Sequence, residues 1–176
     1  MSWEQELATF SRERGPALVG YAYLLTGTMQ GAEDLVQDGL VRAWSRRRTG
    51  TDITWLEAYV RRAMLNAYLD EYRRHRRWTA RTHLVAAPTT TPAPDTVAGD
   101  RIDVATALTH LSPRERACIV LRYYEDLTVR EIAERLDLSE GTVKRYLSDA
   151  GHRLAPLLGP DAGLPTEDIT TKGDRR

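Results

Sequence analysis

The chain has 176 residues, 41% of them apolar, and its 25 Lys+Arg balance 25 Asp+Glu. That length suits one or two small domains with a core each. No run approaches the roughly 18 apolar residues of a bilayer span. MSWEQELATF lacks the basic-then-apolar pattern of a signal peptide, and the lone Cys118 excludes an internal disulfide or a cysteine-based zinc site.

A soluble, cytoplasmic, all-α protein of two small helical domains is expected. The first domain is expected over 1–81, with helical segments at about 3–13, 15–26, 30–48 and 55–77. Gly15-Pro16, the Thr26-Gly27-Thr28 turn and the Thr49–Asp52 loop separate them. Ser2 with Gln5 and Thr54 with Glu57 have capping-box spacing. In the third segment Ala32, Leu35, Val36, Leu40, Ala43 and Trp44 recur at helical spacing as a core stripe. Glu33, Asp34, Gln37, Asp38 and Arg42 lie off it, open to a basic helical partner. In the fourth, Trp55, Leu56, Tyr59, Val60, Ala63, Met64 and Ala67 form one half of the wheel. Arg61, Leu65, Tyr68, Leu69 and Tyr72 form the other, expected to be exposed.

The neutral total hides an asymmetry. Residues 1–41 carry two arginines against six carboxylates, whereas 42–81 carry eleven arginines against four. Such a run is either a solvated helix face or a phosphate-binding surface. Arg73, Arg74, Arg76 and Arg77, with His75 and Trp78, are its densest part. Tyr68 and Tyr72 are either core or base platforms, since aromatic stacking contributes roughly 1–3 kcal/mol per base.

Residues 82–100, rich in Thr, Ala and Pro, read as a semi-stiff tether reaching about 60 Å at about 3.1 Å per residue. A second domain follows over 101–158, and a disordered tail is expected at 159–176. Ser112-Pro113-Arg114-Glu115 and Thr128-Val129-Arg130-Glu131 are capping boxes that open helices at Pro113–Glu125 and Val129–Leu136. LTVREIAERLDLSEGTVKRYLSDAGHRL (127–154) then reads as a helix-turn-helix. Ile132 and Ala133 pack on a second helix capped by Ser139, and Leu136 and Leu138 fill the turn. Val143, Tyr146 or Leu147, and Ala150 return to the core. Glu140, Thr142, Lys144, Arg145 and Ser148 face outward, toward phosphates or base edges of a major groove.

LSPRERACIVLRYYEDLTVREIAERLDLSEGTVKRYLSDAGHRL resembles region 4 of the extracytoplasmic-function (ECF) sigma factors of the sigma-70 family. AEDLVQDGLVRAW (32–44) and YVRRAMLNAYLDEYRR (59–74) resemble their region 2. The resemblance implies a non-catalytic specificity subunit of RNA polymerase that directs promoter-specific initiation. Asp34, Leu35, Gln37, Asp38 and Arg42 would dock on the β′ clamp helices. Arg61, Arg62, Asn66, Tyr68, Tyr72, Arg73, Arg74, Arg76 and Arg77 would capture and melt the −10 element, with Asn66 near a flipped base. Arg130, Glu140, Thr142, Lys144, Arg145 and Ser148 would read the −35 duplex, and region 4 would also bind the β flap. An anti-sigma factor is a further implied partner.

Gly39 departs from the pattern, either permitting close packing or weakening docking. Asp149 stands where relatives often have a basic residue. A stand-alone helix-turn-helix regulator would account for 127–154 but not for 32–74, and an RNA-binding adaptor would leave the second domain idle. An enzyme is disfavoured, and no cofactor or metal is expected. His75, His83, His110 and His152 have no metal spacing, and no phosphate loop or nucleophile motif occurs. Cys118 lies in an apolar stretch and reads as structural.

Overall fold

The computed structural model describes residues 3–45, 53–81 and 103–159. The chain forms two compact units, Met1–Leu84 and Val85–Arg176. All regular structure among the described residues is α-helical. The capping role of Ser2, the Thr54 side chain, the tether at 82–100 and the tail beyond Gly159 lie outside the described residues.

The first unit is a three-helix bundle: α1 (Trp3–Thr26), α2 (Met29–Trp44) and α3 (Ile53–Arg81). The break expected at Gly15-Pro16 does not occur, and α1 runs straight through Pro16. Phe10, Leu18, Tyr21, Ala22 and Leu25 are all buried. At 100° per residue they share one face, and Pro16 lies opposite it on the solvent side. A proline inside a helix costs about 3 kcal/mol. Burying five side chains at about 1.5–3 kcal/mol for each large one outweighs it.

The turn expected at 26–28 is present. Gly27 takes a φ of 76°, and Thr28 caps α2 by accepting the Gly31 N–H at 3.2 Å. Ala32, Leu35, Val36, Gly39 and Ala43 are the buried residues of α2, while Leu40 and Trp44 are only half-buried. Trp44 tilts against Phe10, with ring centroids 5.8 Å apart. Gly39 is where α2 meets α3 most closely. A Cβ there would collide with Met64 Cγ and lie 3.3 Å from Met64 Sδ and 3.5 Å from Val60 Cγ1. Close packing is therefore the physical reason for the glycine.

The half-and-half wheel expected for α3 needs correction. Leu56, Val60, Met64 and Ala67 are buried as expected, but so are Leu65 and Leu69. Both α1 and α2 pack on α3, so two of its faces are covered and only a narrow strip stays open.

The second unit contains α4 (Val104–Leu108), α5 (Pro113–Tyr123), α6 (Val129–Leu136) and α7 (Glu140–Leu158). Both capping boxes are present, at Ser112/Glu115 and Thr128/Glu131. α5 stops two residues short of the expected Glu125, because Asp126 turns the chain with φ 53°. α6 ends where Asp137 adopts left-handed φ 54°, ψ 55°, and the Leu138 N–H returns to Ala133 O at 2.9 Å. Aspartate tolerates this conformation better than most residues. Ser139 then caps α7 by accepting the Thr142 N–H at 3.1 Å. Ile132, Ala133, Val143, Leu147 and Ala150 bury the helix-turn-helix seam. Leu136, Leu138 and Tyr146 are half-buried beside it, so Leu147 is the core residue of the Tyr146–Leu147 pair.

Candidate docking and nucleic-acid interfaces

Burial of one side of α2 presents the other to solvent. Glu33, Asp34, Gln37, Asp38 and Arg42 are all exposed there. Asp34 accepts a hydrogen bond from Gln30 Nε2 at 3.2 Å. Leu35 is 8% exposed and lies in the core, as its place on the apolar stripe predicts, so it supports this face from behind. Val41, 70% exposed, is an apolar member that the sequence reading missed. The signal was available: Val41 follows Gln37 by four residues, off the core stripe.

On α3 the expected basic residues divide into two groups. Arg61 is drawn inward: it donates to Glu57, which Arg14 also approaches at 3.5 Å. Its guanidinium sits 5.7 Å from the Tyr21 ring centroid. A guanidinium held this way ties α3 to α1. Arg62 and Asn66 are exposed. Tyr59, Arg62, Asn66, Arg73 and Arg77 are spaced by three, four, seven and four residues, which aligns them along one face. Tyr59 is half-buried at its start, as are Tyr68 and Tyr72 elsewhere on the helix.

Beyond Tyr72, every residue from Arg73 to Trp78 is exposed, so this part of α3 leaves the packed bundle. Arg73 pairs with Asp70 at 3.2 Å and Arg74 with Glu71 at 2.6 Å. Solvent-exposed pairs of this kind contribute only about 0–1 kcal/mol, so a phosphate competes for either arginine at little cost. Arg76 and Arg77 add further positive charge on adjacent positions.

In the second unit, Glu140, Lys144 and Arg145 project from the first turns of α7 and are exposed. Lys144 and Arg145 stand next to one another, with Arg145 5.6 Å from the Tyr146 ring centroid. Thr142 is half-buried, and its hydroxyl is 2.8 Å from that of Ser139, so it belongs to the cap. Ser148 is half-buried one turn beyond Lys144. Arg130 is exposed on α6, paired to Glu134 at 3.1 Å. Asp149 is exposed near Arg145 and lowers the positive charge of this surface.

The support behind α7 includes a polar clamp that sequence reading missed. Glu115, only 4% exposed, accepts the Ser112 N–H at 2.8 Å and pairs with Arg153 at 2.8 Å. One carboxylate thus closes the first turn of α5 and fastens α7 to it. The capping half was legible; the Arg153 partner, 38 residues away, was not. Cys118 is fully buried, and burial pushes its thiol up to about 12 against the opposing pull of Arg114. That environment keeps it protonated and inert. Among the described residues no group of His, Cys, Asp and Glu could hold a metal ion. No described helix is long and apolar enough to cross a membrane.

Fold and surfaces define a two-module helical protein whose second module is a helix-turn-helix. Residues 10–78 match the sigma-70 region 2 family and residues 101–150 the sigma-70 region 4 family. The RNA polymerase sigma-E factor of Streptomyces coelicolor is 32% identical over 149 residues, covering 85% of this chain and 84% of that one. The ECF RNA polymerase sigma factor SigL of Mycobacterium tuberculosis is 36% identical over 143 residues, covering 77% and 78%. The sigma factor RpoE of Bartonella quintana, solved with the anti-sigma factor NepR, superposes with a TM-score of 0.60 at 28% identity. That match covers 90% of this chain and 98% of that one. The chain belongs to the ECF RNA polymerase sigma factors of the sigma-70 family.

Proposed function

We propose that this chain binds core RNA polymerase in the cytoplasm and directs initiation at a defined set of promoters, without catalysis of its own. The observation that carries the reading is the pair of family matches in one chain, region 2 then region 4, each with an exposed charged helix face. Residues 1–81 act as the region 2 domain, 82–100 as the tether and 101–158 as the region 4 domain. The acidic face of α2, from Glu33 to Arg42, docks on the basic clamp helices of β′. Val41 gives that contact an apolar centre, and Leu35 supports it from the core.

The open strip of α3 then meets the melted −10 strand. Arg62, Arg73 and Arg77, helped by Arg74 and Arg76, track phosphates, and the Asn66 amide pairs with a flipped base edge. Opening the duplex needs no hydrolysis by this chain, because capture of unpaired bases supplies the free energy. The N-terminal turns of α7 enter the −35 major groove. Lys144, Arg145 and Glu140 address base edges and phosphates there, with Arg130 on the flanking backbone, while the same domain holds the β flap. The relative solved with an anti-sigma factor supports a similar inhibitory partner here.

Run-off transcription with sigma-free bacterial core polymerase on a genomic promoter library tests the reading. Discrete start sites that require the protein are expected. Asn66→Ala should raise the Kd for melted −10 DNA, and Arg145→Ala that for −35 duplex, each about tenfold, as loss of about 1–3 kcal/mol per base contact implies. No transcript and no core binding, with specific duplex binding retained by the second unit, would replace this reading with a stand-alone regulator.

A further inference from the structure

The aromatic side chains that sequence patterning offers as base platforms, Tyr68 and Tyr72, are half-buried. The ring that α3 presents openly is a different one: Trp78 is 65% exposed, in the part of the helix that leaves the bundle. It follows directly on the exposed run Arg73, Arg74, His75, Arg76 and Arg77. Twelve residues separate it from Asn66, which is about 18 Å along the axis at about 1.5 Å per residue and about 120° around it. A nucleotide read by Asn66 therefore cannot also lie on Trp78.

From this geometry we propose that Trp78 is a second base platform, on which another unpaired DNA base stacks while the flanking arginines hold its phosphates. The occupant follows from charge and shape. A large flat ring, mostly exposed and preceded by a run of cations, suits a chain that alternates anionic phosphates with apolar base faces. A basic or neutral peptide would meet the same arginines as repulsion or as desolvation without return. Stacking is tolerant of base identity, so Trp78 adds grip on the melted strand and little sequence preference. Reading and holding are then divided along one helix: Asn66 selects a base, and Trp78 keeps the strand open beyond it.

This inference rests on the function proposed above, and the test separates the two. Holoenzyme is assembled from core polymerase and the full chain as wild type, Trp78→Ala, Trp78→Phe or Asn66→Ala. Each is titrated with a fork-junction probe from a promoter found by run-off mapping, with abasic nucleotides placed one at a time along its single strand. Trp78→Ala should weaken binding about 5- to 150-fold, the range that loss of one stacked base implies. Trp78→Phe should restore most of it. One abasic position should weaken the wild type but leave Trp78→Ala unaffected, and it should differ from the position coupled to Asn66. If every abasic position affects wild type and Trp78→Ala equally while Asn66→Ala still shows its own coupled base, the Trp78 platform is wrong and the functional reading stands. If the wild-type chain yields no start site at all, both fall.

Discussion

The two units hold their working surfaces by different means. The region 4 unit relies on local stops: three N-caps accept their N3 backbone N–H groups, and two aspartates turn the chain at positive φ. The region 2 unit depends more on tertiary burial. Pro16 inside α1 is overridden by the core on either side, and Gly39 matters for what it lets Met64 do. Cations are treated differently as well. In the first unit Arg61 is drawn into the Glu57 cluster while Arg62 stays open. In the second, Glu115 takes Arg153 as partner and leaves Lys144 and Arg145 forward. The bundle should accordingly be most sensitive to shape, and the helix-turn-helix to its caps and clamp.

The largest expected effect is at the closest approach. Gly39→Leu should destabilise the first unit by about 3 kcal/mol through overpacking against Met64, which is fully buried and has no room to swing aside. Gly39→Ala gains about 1 kcal/mol of helix propensity but should still be a net loss. Urea unfolding followed by circular dichroism reads this, with Cys118 alkylation as a monitor of the other unit. The contrast between the units predicts that Cys118 stays protected where the first transition shifts. Early labelling of Cys118 in Gly39→Leu would show that the damage spreads and would break the comparison.

Next is the clamp. Glu115→Ala should cost the second unit about 2 kcal/mol, since it leaves the Ser112 N–H without its partner in a part-buried site. Arg153→Ala should cost less, about 1 kcal/mol, because Arg153 is half in water and the Glu115 carboxylate keeps its bond from the Ser112 N–H. Equal losses in the same unfolding assay would mean that the ion pair, not the cap, carries the clamp.

This difference also explains what the sequence made legible. Caps are local: Ser112, Thr128 and Ser139 each contact a residue three positions away, so the starts of α5, α6 and α7 could be read directly. Burial is not local. The continuity of α1 through Pro16 depends on the bundle as a whole, and the covering of Leu65 and Leu69 on two helices flanking α3. At the candidate surfaces, exposure of Asp34, Asp38 and Arg145 followed from periodicity, while Asn66 was singled out only by the family resemblance. Arg61, expected on the exposed half of α3, is half-buried because Glu57 and the Tyr21 ring draw it inward, contacts that helical periodicity does not encode. Val41 was missed because an exposed apolar side chain looks like core until the core is seen to be full.

Smaller effects test the caps themselves. Ser139→Ala should cost about 1 kcal/mol, read by urea unfolding of the second unit, and it should loosen the turn from which Lys144 and Arg145 project. A loss under a few tenths would mean that Leu138 and Val143 set the start of α7 without the cap.

The smallest and most specific test is pH. The Thr128 backbone N–H and hydroxyl hold the Glu131 carboxyl below its ordinary value of 4.5. A carboxyl with a lowered folded pKa adds stability above its unfolded pKa and loses it as pH falls through the folded one. The contribution of Glu131 to α6 should therefore be constant above about pH 5 and disappear progressively as the pH falls below about 4.5. The decisive quantity is the difference between wild type and Glu131→Gln. The glutamine oxygen can accept the same bonds but cannot titrate. Amide exchange in the first turn of α6, followed from pH 6 to pH 3, should show the wild-type advantage shrinking with acidity. A difference that stays constant over that range would mean that the Thr128 bonds do not discriminate between the charged and neutral carboxyl, and that α6 is held by Ile132 and Ala133 in the seam alone.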